Sequence, residues 1–110
     1  MAFPTATATN GPNDTGTATL NAPAGKVTTG DLTNLGGENY VLTINNTSVD
    51  AGDIVLASVA NGTGQSWQGP PIVSRVEPGA HKVVIALWKS SMDNTIEGNV
   101  VVSFYVHKAP

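Results

Sequence analysis

Two histidines, eight carboxylates and two tryptophans carry most of the chemical range of this 110-residue chain. His81 precedes Lys82 at the head of an apolar run, and His107 precedes Lys108 near the C-terminus. A histidine can serve as a general base near neutral pH. It then needs a nucleophile to activate, and no G-x-S-x-G elbow accompanies either one, so both are read as solvated strand ends. Asp50 and Asp53 flank Asp50-Ala51-Gly52-Asp53, a setting where Asp is favoured for local hydrogen bonding rather than for calcium. Asp93 and Glu97 offer two carboxylates, as glycoside hydrolysis requires, but they share one polar loop and are read as solvated. Gly62-Thr63-Gly64 lacks the lysine and the following helix that hold phosphate. With no Cys, no H-x-H, no HExxH and no EF-hand loop, the expectation is no catalytic residue, no cofactor and no metal.

The remaining chemistry is binding. Trp67 lies in Gln65-Ser66-Trp67-Gln68-Gly69-Pro70-Pro71. A loop Trp beside Gln68 suits a sugar-stacking platform, with amides for hydroxyls, and suits equally an anchor in a neighbouring subunit. Packing on the protein's own core is the third reading. Trp88 ends an apolar run and is read as core or sheet-face packing.

Period-two runs supply the elements that position these groups. Tyr40, Leu42 and Ile44 share one face, and Val41 and Thr43 the other. Runs 54–59 and 83–88 are largely apolar on both faces. In the run 100–106, Val100, Val102, Phe104 and Val106 form a wholly apolar set, whereas Val101, Ser103 and Tyr105 are mixed. These are β-branched and aromatic runs of strand length, and 17–21, 26–29 and 72–77 are weaker strands. Turn residues separate nearly all of them. Glu77-Pro78-Gly79-Ala80 places Pro and Gly at the centre of a type II turn, predicting a hairpin between 72–77 and 81–89. The stretches 34–39, 61–71 and 90–98 read as loops. Six to eight strands without an amphipathic helix predict an all-β protein, an antiparallel β-sandwich or jelly roll occupying residues 16–110.

Residues 1–15 stand apart. Thr/Ala alternation with Pro4 and Pro12 gives an extended backbone with little to bury. The bland reading is a disordered terminus, and the sharper one an extended N-terminal arm that orders on a partner, anchored through Phe3 and Pro4.

Composition narrows the class. The 40% hydrophobic residues exclude a disordered chain. A pI near 5.0 argues against nucleic acid, and the longest apolar run, 83–88, is far short of the roughly 20 residues that span a bilayer. The N-terminus lacks the charged and apolar regions of a signal peptide, so the expected site of synthesis is a cytoplasm. The N-x-[ST] sequons at Asn13, Asn45, Asn46 and Asn61 are then a by-product of composition. Strands apolar on both faces, with Val84, Val101 and Tyr105 on the second faces, point to a subunit interface.

Several segments resemble small proteins encoded in the structural regions of tailed bacteriophages. They are Ala18-Thr19-Leu20-Asn21-Ala22-Pro23-Ala24-Gly25-Lys26-Val27, Tyr40-Val41-Leu42-Thr43-Ile44-Asn45-Asn46, Ile72-Val73-Ser74-Arg75-Val76-Glu77-Pro78-Gly79-Ala80 and Ile96-Glu97-Gly98-Asn99-Val100-Val101-Val102-Ser103-Phe104. The resemblance spans 16–107 and departs at 61–71. It implies a non-enzymatic virion protein, foremost a head decoration (cement) protein on the capsid surface. The major capsid protein or other virion proteins would be its partners, and it would form a homo-oligomer, trimer or dimer. A tail or fibre module, or a carbohydrate-binding receptor-recognition domain, is the alternative. The candidate partner-binding residues are Phe3, Pro4, Trp67, Gln68 and Tyr105.

Overall fold

A computed structural model describes residues 3–11, 15–30, 39–61, 72–88 and 99–108. Nine strands follow one another: β1 (Thr5–Thr7), β2 (Thr9–Gly11), β3 (Thr15–Thr19), β4 (Ala24–Thr28), β5 (Asn39–Asn45), β6 (Ile54–Asn61), β7 (Ile72–Gly79), β8 (Lys82–Trp88) and β9 (Val100–His107). They form a four-stranded sheet, order β1-β4-β9-β6, and a five-stranded sheet, order β2-β3-β5-β8-β7. The two enclose one core, as in a sandwich. Among the described residues there is no helix, and so none long and apolar enough to cross a membrane.

The apolar alternation decides which face turns inward. Tyr40, Leu42 and Ile44 of β5, Val83, Ile85 and Leu87 of β8, and Val100 and Val102 of β9 are fully buried. Each such side chain contributes on the order of 1.5–3 kcal/mol through removal from water. Val101 and Ser103 are half-buried and Tyr105 is exposed on the opposite face of β9.

Two expectations need correction. The sheets are mixed rather than wholly antiparallel, because β1 runs parallel to β4 and β3 parallel to β5. The chain leaves one sheet for the other and returns between the members of each pair, and such a crossover is what a parallel pairing requires. The hairpin of β7 and β8 forms, but its turn lies two residues later than predicted. Pro78 and Gly79 are paired in the ladder, opposite Val83 and Lys82, and Ala80-His81 makes the loop. His81, not glycine, takes the left-handed backbone, with φ 61°. Tertiary hydrogen bonds hold it there. Its N–H donates to the Val49 carbonyl at 2.8 Å, and its own carbonyl accepts from the Asn46 N–H at 2.9 Å. Such bonds offset the steric cost of a positive φ in a residue with a Cβ.

The Thr/Ala segment contributes two short edge strands, one to each sheet. It changes sheets at Ala8, which is buried and donates its N–H to the Thr28 carbonyl at 2.8 Å. The threonines at 5, 7 and 9 face solvent while Ala6 and Ala8 pack inward. Small inward side chains are what the margin of a sandwich accommodates.

Asp50 and Asp53 form a tight turn between β5 and β6, with the Asp53 N–H on the Asp50 carbonyl at 3.0 Å. The two strands it separates belong to different sheets. The cation beside these carboxylates is Lys108, whose Nζ lies 2.8 Å from Asp50 Oδ2 and 2.6 Å from Asp53 Oδ2 and donates to the Ser48 carbonyl at 3.0 Å. The hydrogen bonds to Asp50 and Asp53 raise the Lys108 pKa above its ordinary 10.5.

In the other layer, burial pushes the Tyr40 phenol from 10.0 up to about 12. Both groups keep a proton in the fold that the unfolded chain releases sooner. The Tyr40 contribution is therefore complete below pH 10 and fades as pH rises through 10–12, and that of Lys108 is lost as pH rises past its ordinary 10.5. Denaturant melts between pH 8 and 11 are expected to show stability falling from pH 10 upward. Tyr40→Phe should flatten part of that fall, and an unchanged slope in the variant would remove Tyr40 as its source.

Candidate functional site

The outward face of the four-stranded sheet and its margin carry four of the five large apolar side chains exposed among the described residues, the fifth being Ile72 of β7. Leu56 is 62% exposed, Phe3 60%, Ile54 59% and Tyr105 52%. Strand register builds their grouping from three segments. On β9, Tyr105 lies opposite Leu56 of β6 on one side and Ala24 of β4 on the other. Two residues along, Ser103 lies between Ser58 and Lys26.

Phe3 is brought to the same place through Gly25. A Cβ on Gly25 would stand 2.9 Å from the Pro4 carbonyl oxygen. Without one, Pro4 approaches closely and accepts the Lys26 N–H at 3.0 Å. The residue before Pro4 is thereby set at the margin of β4. Phe3, Ala24, Leu56 and Tyr105 wall a groove of about 370 Å³, whose lining also includes Gly25, Lys26, Ala57, Ser58, Ser103 and Phe104.

The arrangement suits adhesion. An apolar floor with two aromatic rings and a polar flank is the composition of a protein-binding patch. Tyr105 also offers an exposed aromatic ring in the same lining as two serine hydroxyls, the pairing a sugar ligand uses. Lys26 is the single charged side chain of the lining, so recognition here rests on shape and apolar contact more than on ion pairing.

Of the five residues expected from sequence, the fold unites Phe3, Pro4 and Tyr105. Phe3 and Tyr105 line the groove directly, and Pro4 acts through its carbonyl. Trp67 and Gln68 lie outside the described residues, as do Asp93, Glu97, Asn13 and Gly62-Thr63-Gly64. Ala24, Lys26, Leu56, Ser58 and Ser103 went unnoticed in the sequence. Ser103 belongs to the mixed outward set of β9 and Leu56 to a run apolar on both faces, and both are legible as such. Their meeting depends on register, which no local signal carries.

The histidines stand apart from the groove, His81 exposed in the β7–β8 turn and His107 exposed at the end of β9 opposite Ile54. Among the described residues no three His, Asp or Glu side chains converge as a metal site would require. Trp88 is half-buried at the end of β8, opposite Asn39 and Ile72.

No protein-family model, curated protein or solved structure matches the chain.

Asn46 is buried, and its amide nitrogen donates to the Ala22 carbonyl at 2.7 Å. Within the folded domain this sequon therefore supplies a structural amide rather than a glycan acceptor.

Proposed function

We propose that this protein is a non-enzymatic structural component of a tailed-phage virion, synthesised in the host cytoplasm. In this reading it docks on the capsid surface as a decoration or cement protein and stabilises the assembled head. The observation that carries the proposal is the convergence of Phe3 and Tyr105 on one exposed apolar groove. The resemblance across 16–107 supplies the setting. A ligand that binds the assembled shell but not its free subunits stabilises the shell by mass action, and a sandwich or jelly-roll body is a compact carrier for such a patch. The N-terminal segment serves as the arm in this reading. It runs along both sheet margins and delivers Phe3 to the groove, ready for a capsid protein to complete the contact.

Purified protein is expected to co-sediment with heads rather than with tails. Phe3→Ala and Tyr105→Ala should each weaken that binding about tenfold or more, as loss of a central aromatic anchor does. Binding to heads that is indifferent to both substitutions would discard the groove as the contact.

A fibre module that reads carbohydrate is the second reading, favoured by Tyr105 standing near Ser58 and Ser103. A saturable sugar response in intrinsic fluorescence, lost in Tyr105→Ala, would select it over the cement role.

A further inference from the structure

Four strand edges bound the two sheets: β1 and β6 on one, β2 and β7 on the other. An open edge offers a row of N–H and C=O groups to any approaching strand. Folded proteins blunt such edges with shortness, proline, charge or a bulge. Three of the four are blunted here. β1 is three residues long and follows Pro4, and β2 is three residues long and ends on Gly11. β7 is longer but carries Arg75, Glu77, Pro78 and an irregularity between Val73 and Arg75. β6 has none of these devices. Its eight residues, Ile-Val-Leu-Ala-Ser-Val-Ala-Asn, include no charge, proline or glycine, and they keep unbroken register with β9.

The direction of the β6 backbone groups follows from its neighbour. The Val106 N–H donates to the Pro23 carbonyl, the Val100 carbonyl accepts from the Thr29 N–H, and the Val100 N–H donates to Thr29 Oγ1. These partners lie at the two ends of β4. Both polar groups of one strand residue point the same way, and successive residues alternate. Val100, Val102, Phe104 and Val106 therefore serve β4, while Val101, Ser103, Tyr105 and His107 serve β6. The partners of that second set are Ala60, Ser58, Leu56 and Ile54. Val55, Ala57 and Val59 turn their N–H and C=O groups away from β9, toward the edge along which β7 of the other sheet lies without pairing. Among the described residues no strand pairs with that edge.

We infer that the β6 edge is a homodimer interface, in which β6 pairs antiparallel with β6 of a second copy about a two-fold axis. A two-fold axis normal to the sheet lays an edge on itself in antiparallel sense, so one stretch of backbone supplies both halves of the contact. β6 holds no charge to repel its twin. Ile54 and Leu56, both more than half exposed, would gain neighbours from the outward face of the partner's β6. The two four-stranded sheets become one, and the outward apolar face is doubled. The inference is independent of shell docking, because it concerns the purified protein alone.

Analytical ultracentrifugation of the full chain tests it, together with amide hydrogen exchange. The wild type is expected to sediment as two chains, and protection at Val55, Ala57 and Val59 should rise with concentration. Ala57→Pro removes an edge N–H and leaves the β9 ladder intact. Ser58→Lys adds the charge that other edges use for blunting. Each should weaken association at least tenfold with an unchanged circular dichroism spectrum. If Ala57→Pro unfolds, Ser58→Lys and the exchange data decide alone. A wild type that is monomeric at its highest soluble concentration overturns the inference. So does a trimer, or a dimer insensitive to the substitution and freely exchanging at those three amides.

Discussion

Gly16→Ala is expected to destabilise the protein by about 3 kcal/mol, the upper part of the range for overpacking a core. Gly16 sits on the inward face of β3, opposite Leu42. A Cβ there would stand 1.7 Å from the Tyr40 hydroxyl oxygen and 2.7 Å from Cζ. Neither group can yield easily. Tyr40 is fully buried, and its hydroxyl donates to Asn10 Oδ1 at 3.1 Å. The added methyl therefore breaks the Tyr40–Asn10 side-chain bond between β5 and β2, or it pushes β3 off its neighbour. Chemical denaturation measures the loss. Tyr40→Phe in the Gly16→Ala background should recover part of it, since the nearest obstructing atom is gone while Cζ still crowds the methyl. A Gly16→Ala variant as stable as wild type would mean the ring has room to withdraw.

Asn46→Ala should cost a similar amount, about 3 kcal/mol, because it strands several polar groups at once. The Asn46 side-chain oxygen accepts from the Ala22 N–H at 3.1 Å and the Ser48 N–H at 2.9 Å, and its nitrogen donates to the Ala22 carbonyl. Its backbone N–H meets the His81 carbonyl. One buried residue thus fastens the β3–β4 connection, the β5–β6 turn and the β7–β8 turn. Asn46→Asp keeps the acceptor but replaces the donor with an anion facing a carbonyl, so it should be no better than alanine. Asn45→Asp, one residue earlier and exposed, is the control expected to stay near wild type. Thermal melts of the three variants check the ranking.

Strands β5, β6, β8 and β9 were legible in the sequence because their evidence is local. Side chains alternate faces every residue, so Tyr40, Leu42 and Ile44, or Val100, Val102 and Phe104, declare a buried side by themselves. The Thr/Ala segment was less legible. Alanine is a weak burial signal, and the pairing of β1 depends on a strand more than ten residues distant. The turn of the β7–β8 hairpin was misplaced for a related reason. Pro-Gly is the stronger local signal, yet Val49 and Asn46 hold His81 in the positive-φ position. Of the groove, Phe3 and Tyr105 stood out as aromatics on otherwise polar or mixed segments. Leu56, Ser58 and Lys26 did not, since nothing beside them in the chain says what lies across the sheet.

An all-β chain, the positions of its main strands and the face each buries follow from side-chain alternation and turn chemistry within a few residues. The strand order, the parallel pairings and the register that sets Tyr105 between Leu56 and Ala24 arise in the closed fold, as does the choice of which strands end each sheet. Those properties are hydrogen bonds and packing contacts between segments far apart in the chain, and their energies depend on how both sheets close around one core.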